Sequence, residues 1–79
     1  MKRMKQILIV EDDELLNKML VYNLQSESYG IVSVETVKEA MEVLKSQQFD
    51  LVLLDINLPD GNGYVIIKTI REKYSDTIV

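Results

Sequence analysis

Glu11 and Asp12 follow directly on the apolar run Ile7–Val10, and Asp55 follows directly on the apolar run Leu51–Leu54. Either junction alone has a plain reading. Glu11-Asp12-Asp13-Glu14 suits the solvated start of a helix, where negative charge complements the helix dipole. Asp55 alone is an ordinary strand-ending acid. Together the two junctions point to chemistry. Three carboxylates gathered in a partly desolvated pocket repel one another by roughly several kcal/mol at low effective dielectric, so they require a proton or a cation. With no histidine and no cysteine in the chain, the ligands on offer are oxygens, which favour Mg²⁺, Mn²⁺ or Ca²⁺. Few protein ligands, with positions left for water and phosphate, suit Mg²⁺ best. Beside such a cation a carboxylate is a nucleophile toward phosphorus and forms an aspartyl phosphate. The cation offsets the charge that develops on the phosphoryl oxygens. Asp55 is the best placed for that role, because it ends what reads as the most buried strand and leads into a loop. Asn57, two residues on, can offer its backbone carbonyl to the metal, and Gly61 and Gly63 let the loop turn tightly.

These acids can meet only if the elements before them align. Ile7–Val10 is continuous, β-branched and apolar, as a strand buried on both faces is. From Glu14 the period changes: Leu16, Met19, Leu20, Asn23 and Leu24 recur at helical spacing, Lys18, Gln25 and Glu27 can face water, and Asp13 can cap the helix. Gly30 punctuates, and Ile31–Val34 reads as a second, short strand. Thr36-Val37-Lys38-Glu39 has capping-box spacing, ahead of a stripe of Val37, Ala40, Met41 and Leu44 in a helix ending near Gln47. Leu51–Leu54 is a third strand, and 57–63 is a loop of turn residues, Pro59-Asp60-Gly61 among them. Val65, Ile66, Ile67 and Ile70 predict a third helix to about Lys73, and Thr77-Ile78-Val79 reads as the opening of a fourth strand.

Strand and helix alternate over connections too short for anything but βαβ units. The expected fold is therefore α/β: a doubly wound parallel sheet with right-handed crossovers and helices on both faces. Ligands of such sheets sit beyond the carboxyl ends of the strands. A strand order 2-1-3 brings the first and third strands side by side, and Glu11, Asp12 and Asp55 onto one rim.

Composition bounds the rest. Seventy-nine residues make one small domain, expected to bury about 60–65% of its unfolded surface. The chain is 47% hydrophobic, which argues against disorder. Its net charge of −4 argues against direct nucleic-acid contact by this segment. Apolar runs such as Ile7–Val10 are four residues long, too short to cross a membrane or to serve as a signal sequence behind Lys2, Arg3 and Lys5. A cytoplasmic location fits. Met19 and Met41 read as gap-fillers, and Tyr22, Tyr29, Tyr64 and Tyr74 carry no evident chemistry.

Ile7-Leu-Ile-Val-Glu-Asp-Asp-Glu14 and Leu53-Leu-Asp-Ile-Asn-Leu-Pro-Asp-Gly-Asn-Gly63 resemble the two signature segments of response-regulator receiver domains of two-component signalling, and the 43 positions from Asp12 to Asp55 match that family's spacing. The resemblance implies a flavodoxin-like (CheY-like) fold, with residues 1–79 as the N-terminal two thirds of a receiver domain cut off after the start of its fourth strand. It implies that Asp55 is the phospho-acceptor, that Glu11 and Asp12 hold Mg²⁺ with a main-chain carbonyl from Asn57, and that the donor is a sensor histidine kinase. The chain is then a phospho-acceptor rather than an enzyme. The Glu-Asp pair and the Leu-Pro-Asp-Gly-x-Gly loop are similar to those of OmpR-like winged-helix transcription regulators, which implies DNA contact through a further C-terminal domain. The family's hydroxyl residue, lysine and switch aromatic fall outside this stretch, and Lys68 and Lys73 occupy no equivalent position. Exposed sheet surface then predicts self-association. Two other functions fit these residues less well. A haloacid-dehalogenase-type phosphohydrolase places Asp-x-Asp after its first strand, where this chain has Glu-Asp-Asp, and Asp55-Ile-Asn lacks the second acid. A non-phosphorylated interaction module would show no Asp55-dependent Mg²⁺ binding.

Overall fold

The structure is a computed structural model that describes residues 5–25, 29–55, 57–58 and 61–73. Lys2, Arg3, Glu27, Pro59, Asp60, Tyr74 and the expected fourth strand at Thr77-Ile78-Val79 lie outside the described residues. Three parallel strands, β1 (Gln6–Val10), β2 (Gly30–Val34) and β3 (Leu51–Leu54), form a sheet in the order β2-β1-β3. Three helices, α1 (Glu14–Gln25), α2 (Val37–Ser46) and α3 (Tyr64–Lys73), connect and cover it. The doubly wound α/β reading therefore holds.

β1 is the central strand, and Ile7 to Val10 are buried throughout. In β3 only Val52 is fully buried, while Leu51, Leu53 and Leu54 are half-buried. The expectation that β3 is the most buried strand is thus corrected. Its apolar composition equals that of β1, but position in the sheet decides which strand is covered on both sides. Side chains alternate across the pleat. Leu8, Val10, Val34 and Val52 join Ala40 and Leu44 of α2, Ile66 and Ile70 of α3, Phe49 and Leu58 in one core. Ile7 and Ile9, out of phase with them, are buried on the face where α1 packs against β1 and β2. Each fully buried Val, Leu, Ile or Phe among them stabilises the fold by about 1.5–3 kcal/mol.

Local signals place the helices. Asp13 caps α1, its Oδ1 accepting from Leu16 N–H at 3.1 Å. Thr36 caps α2 by accepting from Glu39 N–H at 3.1 Å, and the Glu39 carboxylate in turn accepts from the Thr36 hydroxyl and Glu35 N–H. Gln47 closes α2, where the sequence places its end.

Two expectations change. The buried face of α1 is Asn17 with half-buried Leu20, Val21 and Leu24, whereas Leu16, Met19 and Asn23 are exposed. The spacing 17, 20, 21, 24 is as helical as the apolar one, and a polar residue at its head disguises it. The 57–63 loop contains a small antiparallel hairpin, β4 (Asn57–Leu58) and β5 (Gly61–Asn62), paired Asn57 to Asn62 and Leu58 to Gly61. Leu58, 7% exposed, anchors it to the core.

Candidate functional site

β1 and β3 run in parallel with Val10 opposite Leu54, so their carboxyl ends finish level. Asp55 N–H continues the ladder by donating to Val10 O at 2.9 Å, and Glu11 N–H does so on the other side by donating to Val34 O at 3.1 Å. The residues after both strands thus leave the sheet in register. One carboxylate oxygen from each of Glu11, Asp12 and Asp55 lies within 4.8 Å of the others. Glu11 and Asp55 are half-buried, and Asp12 is exposed. Asn57 opens β4 two residues beyond Asp55.

The run Glu11 to Glu14 divides into two tasks. Asp13 and Glu14 serve the helix: Asp13 is its cap, and Glu14 pairs with Lys18 at 3.0 Å on the exposed surface. Glu11 and Asp12 turn to the rim. Burial pushes the Glu11 carboxyl above the usual carboxylate range. The Asp13 N–H, donating to Glu11 Oε2 at 3.2 Å, pulls the other way, and the neighbouring Asp55 and Asp12 carboxyls push it up again. A carboxylate so placed gains from a cation.

The donor set fits a hard divalent ion. Oxygens on opposite sides of an octahedral Mg²⁺ stand about 4.1 Å apart, so a cluster within 4.8 Å closes on such an ion with small side-chain adjustments. A cleft of about 340 Å³ lies beside the acids, floored by Val10, Leu20, Leu53 and Leu54 and edged by Glu11 and Asp55. It leaves Asp55 open to a reactant from that side.

Asn17 is the residue that sequence reasoning misses. Its buried side-chain amide donates to Glu11 O at 3.0 Å and to Val34 O at 3.1 Å. The signal was available: Asn17 stands three, four and seven positions before Leu20, Val21 and Leu24, a lone amide on the buried face.

Comparison with known proteins agrees with this geometry. The family model for the response regulator receiver domain matches residues 7–79. The cell cycle response regulator CtrA of Brucella ovis is 33% identical over 66 residues, which cover 84% of this chain and 28% of that protein. The non-phosphorylated HemR receiver domain of Leptospira biflexa is 40% identical with a TM-score of 0.84, covering 91% of this chain and 58% of that one. The response regulator TrrA of Thermotoga maritima, solved in complex with Mg²⁺-BeF, is 38% identical with a TM-score of 0.84, covering 94% of this chain and 64% of that one. TrrA has also been solved in complex with the histidine kinase ThkA, with a TM-score of 0.82 to this chain. The chain thus spans about a quarter of the length of the curated relatives it matches and less than two thirds of these solved chains. Fold, rim and family model agree: the chain belongs to the response regulator receiver domains of two-component signalling.

Proposed function

We propose that Asp55 accepts a phosphoryl group from a phosphohistidine on a sensor histidine kinase, at a Mg²⁺ site formed by Glu11, Asp12 and Asp55 with the main-chain carbonyl of Asn57. The observation that carries this reading is the convergence of three carboxylate oxygens, within 4.8 Å of one another, at the level ends of β1 and β3. An Asp55 carboxylate oxygen attacks phosphorus, the phosphorus–nitrogen bond to the imidazole breaks, and its electron pair stays on that nitrogen. Mg²⁺, when bound, offsets the charge on the phosphoryl oxygens. Glu11 and Asp12 hold the site on one side, and the open cleft beside Leu53 and Leu54 admits the donor on the other. The chain is a phospho-acceptor that assists its own modification, and residues 1–79 make up the larger part of one receiver domain.

The kinase as partner is supported by TrrA, a relative crystallised with one. Phosphorylation adds about −1.5 to −2 charges and biases a two-state surface that serves output. We place that output at transcription, through a DNA-binding domain beyond this stretch, in the cytoplasm. Among the described residues no helix is long and apolar enough to cross a membrane. The test is phosphotransfer from a sensor kinase with and without Mg²⁺, beside Asp55→Asn. The expected result is label that needs both Mg²⁺ and Asp55. Full labelling of the Asp55→Asn chain would refute the assignment.

Self-association of this 79-residue chain is a further part of the proposal. It is supported by the large apolar side chains that α1 leaves exposed, Leu15, Leu16, Met19 and Tyr22. Sedimentation across a wide concentration range should show a concentration-dependent dimer. A monodisperse monomer at micromolar concentration contradicts it.

A further inference from the structure

Asn17 is 6% exposed and is the only buried polar side chain among the described residues. An amide taken out of water without partners is destabilising, so a buried asparagine on a helix face otherwise made of Leu20, Val21 and Leu24 calls for a reason. Its nitrogen lies 3.0 Å from Glu11 O and 3.1 Å from Val34 O. Both acceptors are main-chain carbonyls with no proton to give, so the atom facing them must be the amide nitrogen. Val34 O also receives Glu11 N–H at 3.1 Å. The result is a closed set of three hydrogen bonds that ties the ends of β1 and β2 to the first turn of α1.

The part of this set that matters chemically is Glu11 O. That oxygen belongs to the peptide joining Glu11 to Asp12, so gripping it fixes the plane from which both acids project. On the opposite side of the cluster Asp55 is pinned by its own N–H to Val10 O at 2.9 Å. Each half of the acid cluster is therefore held by hydrogen bonds to or from the main chain: the ladder takes Glu11 N–H and Asp55 N–H, and Asn17 adds a grip on Glu11 O. Val34 brings no acid to the rim. Its contribution is a carbonyl that anchors Asn17 and Glu11 together.

We propose that Asn17 is a positioning residue for the acid cluster: its amide holds the Glu11–Asp12 peptide so that both carboxylates face Asp55, and thereby sets the affinity for a divalent cation. The inference rests on the Mg²⁺ reading above. Groups that orient a metal's ligands without touching the metal typically change affinity by roughly 10- to 100-fold when removed. The experiment is calorimetric titration of Mg²⁺ into the unaltered chain, into Asn17→Leu, and into Ala40→Gly. The last loosens α2 at a fully buried position that belongs neither to the acid cluster nor to the Asn17 hydrogen bonds, and serves as a control for lost stability alone. The expected result is Mg²⁺ binding weakened about 10-fold or more in Asn17→Leu and unchanged in Ala40→Gly. A second measurement does not depend on the variant folding. In the unaltered chain the two Asn17 side-chain amide proton signals should be protected from exchange with water and should shift during the titration, with the calorimetric midpoint. Equal affinity in Asn17→Leu, or Asn17 signals indifferent to Mg²⁺ while the chain binds it, overturns this inference and leaves the metal reading standing. No Mg²⁺ binding by the unaltered chain overturns both.

Discussion

The two ends of the same small sheet treat their acids in opposite ways. At the amino end, Asp50 Oδ2 accepts from Gln6 N–H at 2.7 Å, Asp50 N–H donates to Gln6 O at 2.8 Å, and Gln47 Nε2 donates to Gln6 Oε1 at 3.2 Å. That carboxylate is answered by a donor and serves as a clasp between β1 and the turn into β3. At the carboxyl end, Glu11, Asp12 and Asp55 face one another, and the hydrogen bonds there go mostly to carbonyls rather than to carboxylates. An acid that finds a donor supports the fold. Acids crowded against one another leave charge for something that binds. The contrast separates structure from function more sharply than burial does, since Asp50, Glu11 and Asp55 are all half-buried.

Substitution at Asp50 should break the contrast from the structural side. Asp50→Ala leaves a half-buried Gln6 N–H without its carboxylate, and we expect a loss of about 1–2 kcal/mol in urea unfolding, with Mg²⁺ affinity unchanged. A change in Mg²⁺ affinity comparable to that of a rim variant would show that the two ends are not independent.

Acidity should separate the ends from the chemical side. Glu11 has its carboxyl raised by burial and by its neighbours, so its folded pKa stands above the unfolded one. In metal-free protein its contribution to stability is fully present below the unfolded value and is lost as pH rises through the folded value. Mg²⁺ binding needs the ionised group, so apparent affinity should fall as pH drops through that raised value. Unfolding and Mg²⁺ titrations over the acid range check both slopes, and parallel slopes would contradict the assignment.

The smallest effect is expected at Gly30, whose N–H donates to Lys5 O at 2.8 Å. A Cβ there would meet Gln6 Nε2 at 2.5 Å. That amide is the end of a flexible side chain and can swing away, at the loss of its bond from Gln47. Gly30→Ala should therefore cost only about 0.5–1.5 kcal/mol by thermal unfolding and leave the rim's Mg²⁺ affinity untouched.

Much of this was legible in the residues. Two apolar runs ending in acids, separated by helix-strand-helix, dictate a parallel sheet with its site beyond the carboxyl ends, and the order β2-β1-β3 then gives them a shared rim. Thr36 and Glu39, and Asp13 before α1, announced their caps. What was not legible depends on partners distant in sequence. β1 and β3 have equally apolar sequences, and only their place in the sheet makes one central. The face of α1 turned on Asn17, whose polarity hid its burial until the two carbonyls it serves were known. The hairpin of β4 and β5 has two-residue strands, too short to show any period, and Leu58 reveals itself only through the core it enters.

The central claim is that the rim crowds three carboxylates whose mutual repulsion a cation offsets, and thermal unfolding of the unaltered chain beside Asp55→Asn, with and without Mg²⁺, tests it most directly. Removing one charge should relieve repulsion, so the metal-free Asp55→Asn chain should melt above the metal-free unaltered chain. Saturating Mg²⁺, at about 100 times its dissociation constant, should raise the melting temperature of the unaltered chain by about 10–20 °C and leave Asp55→Asn nearly unmoved. An unaltered chain indifferent to Mg²⁺, or an Asp55→Asn chain that melts lower and still responds to Mg²⁺, would contradict the account.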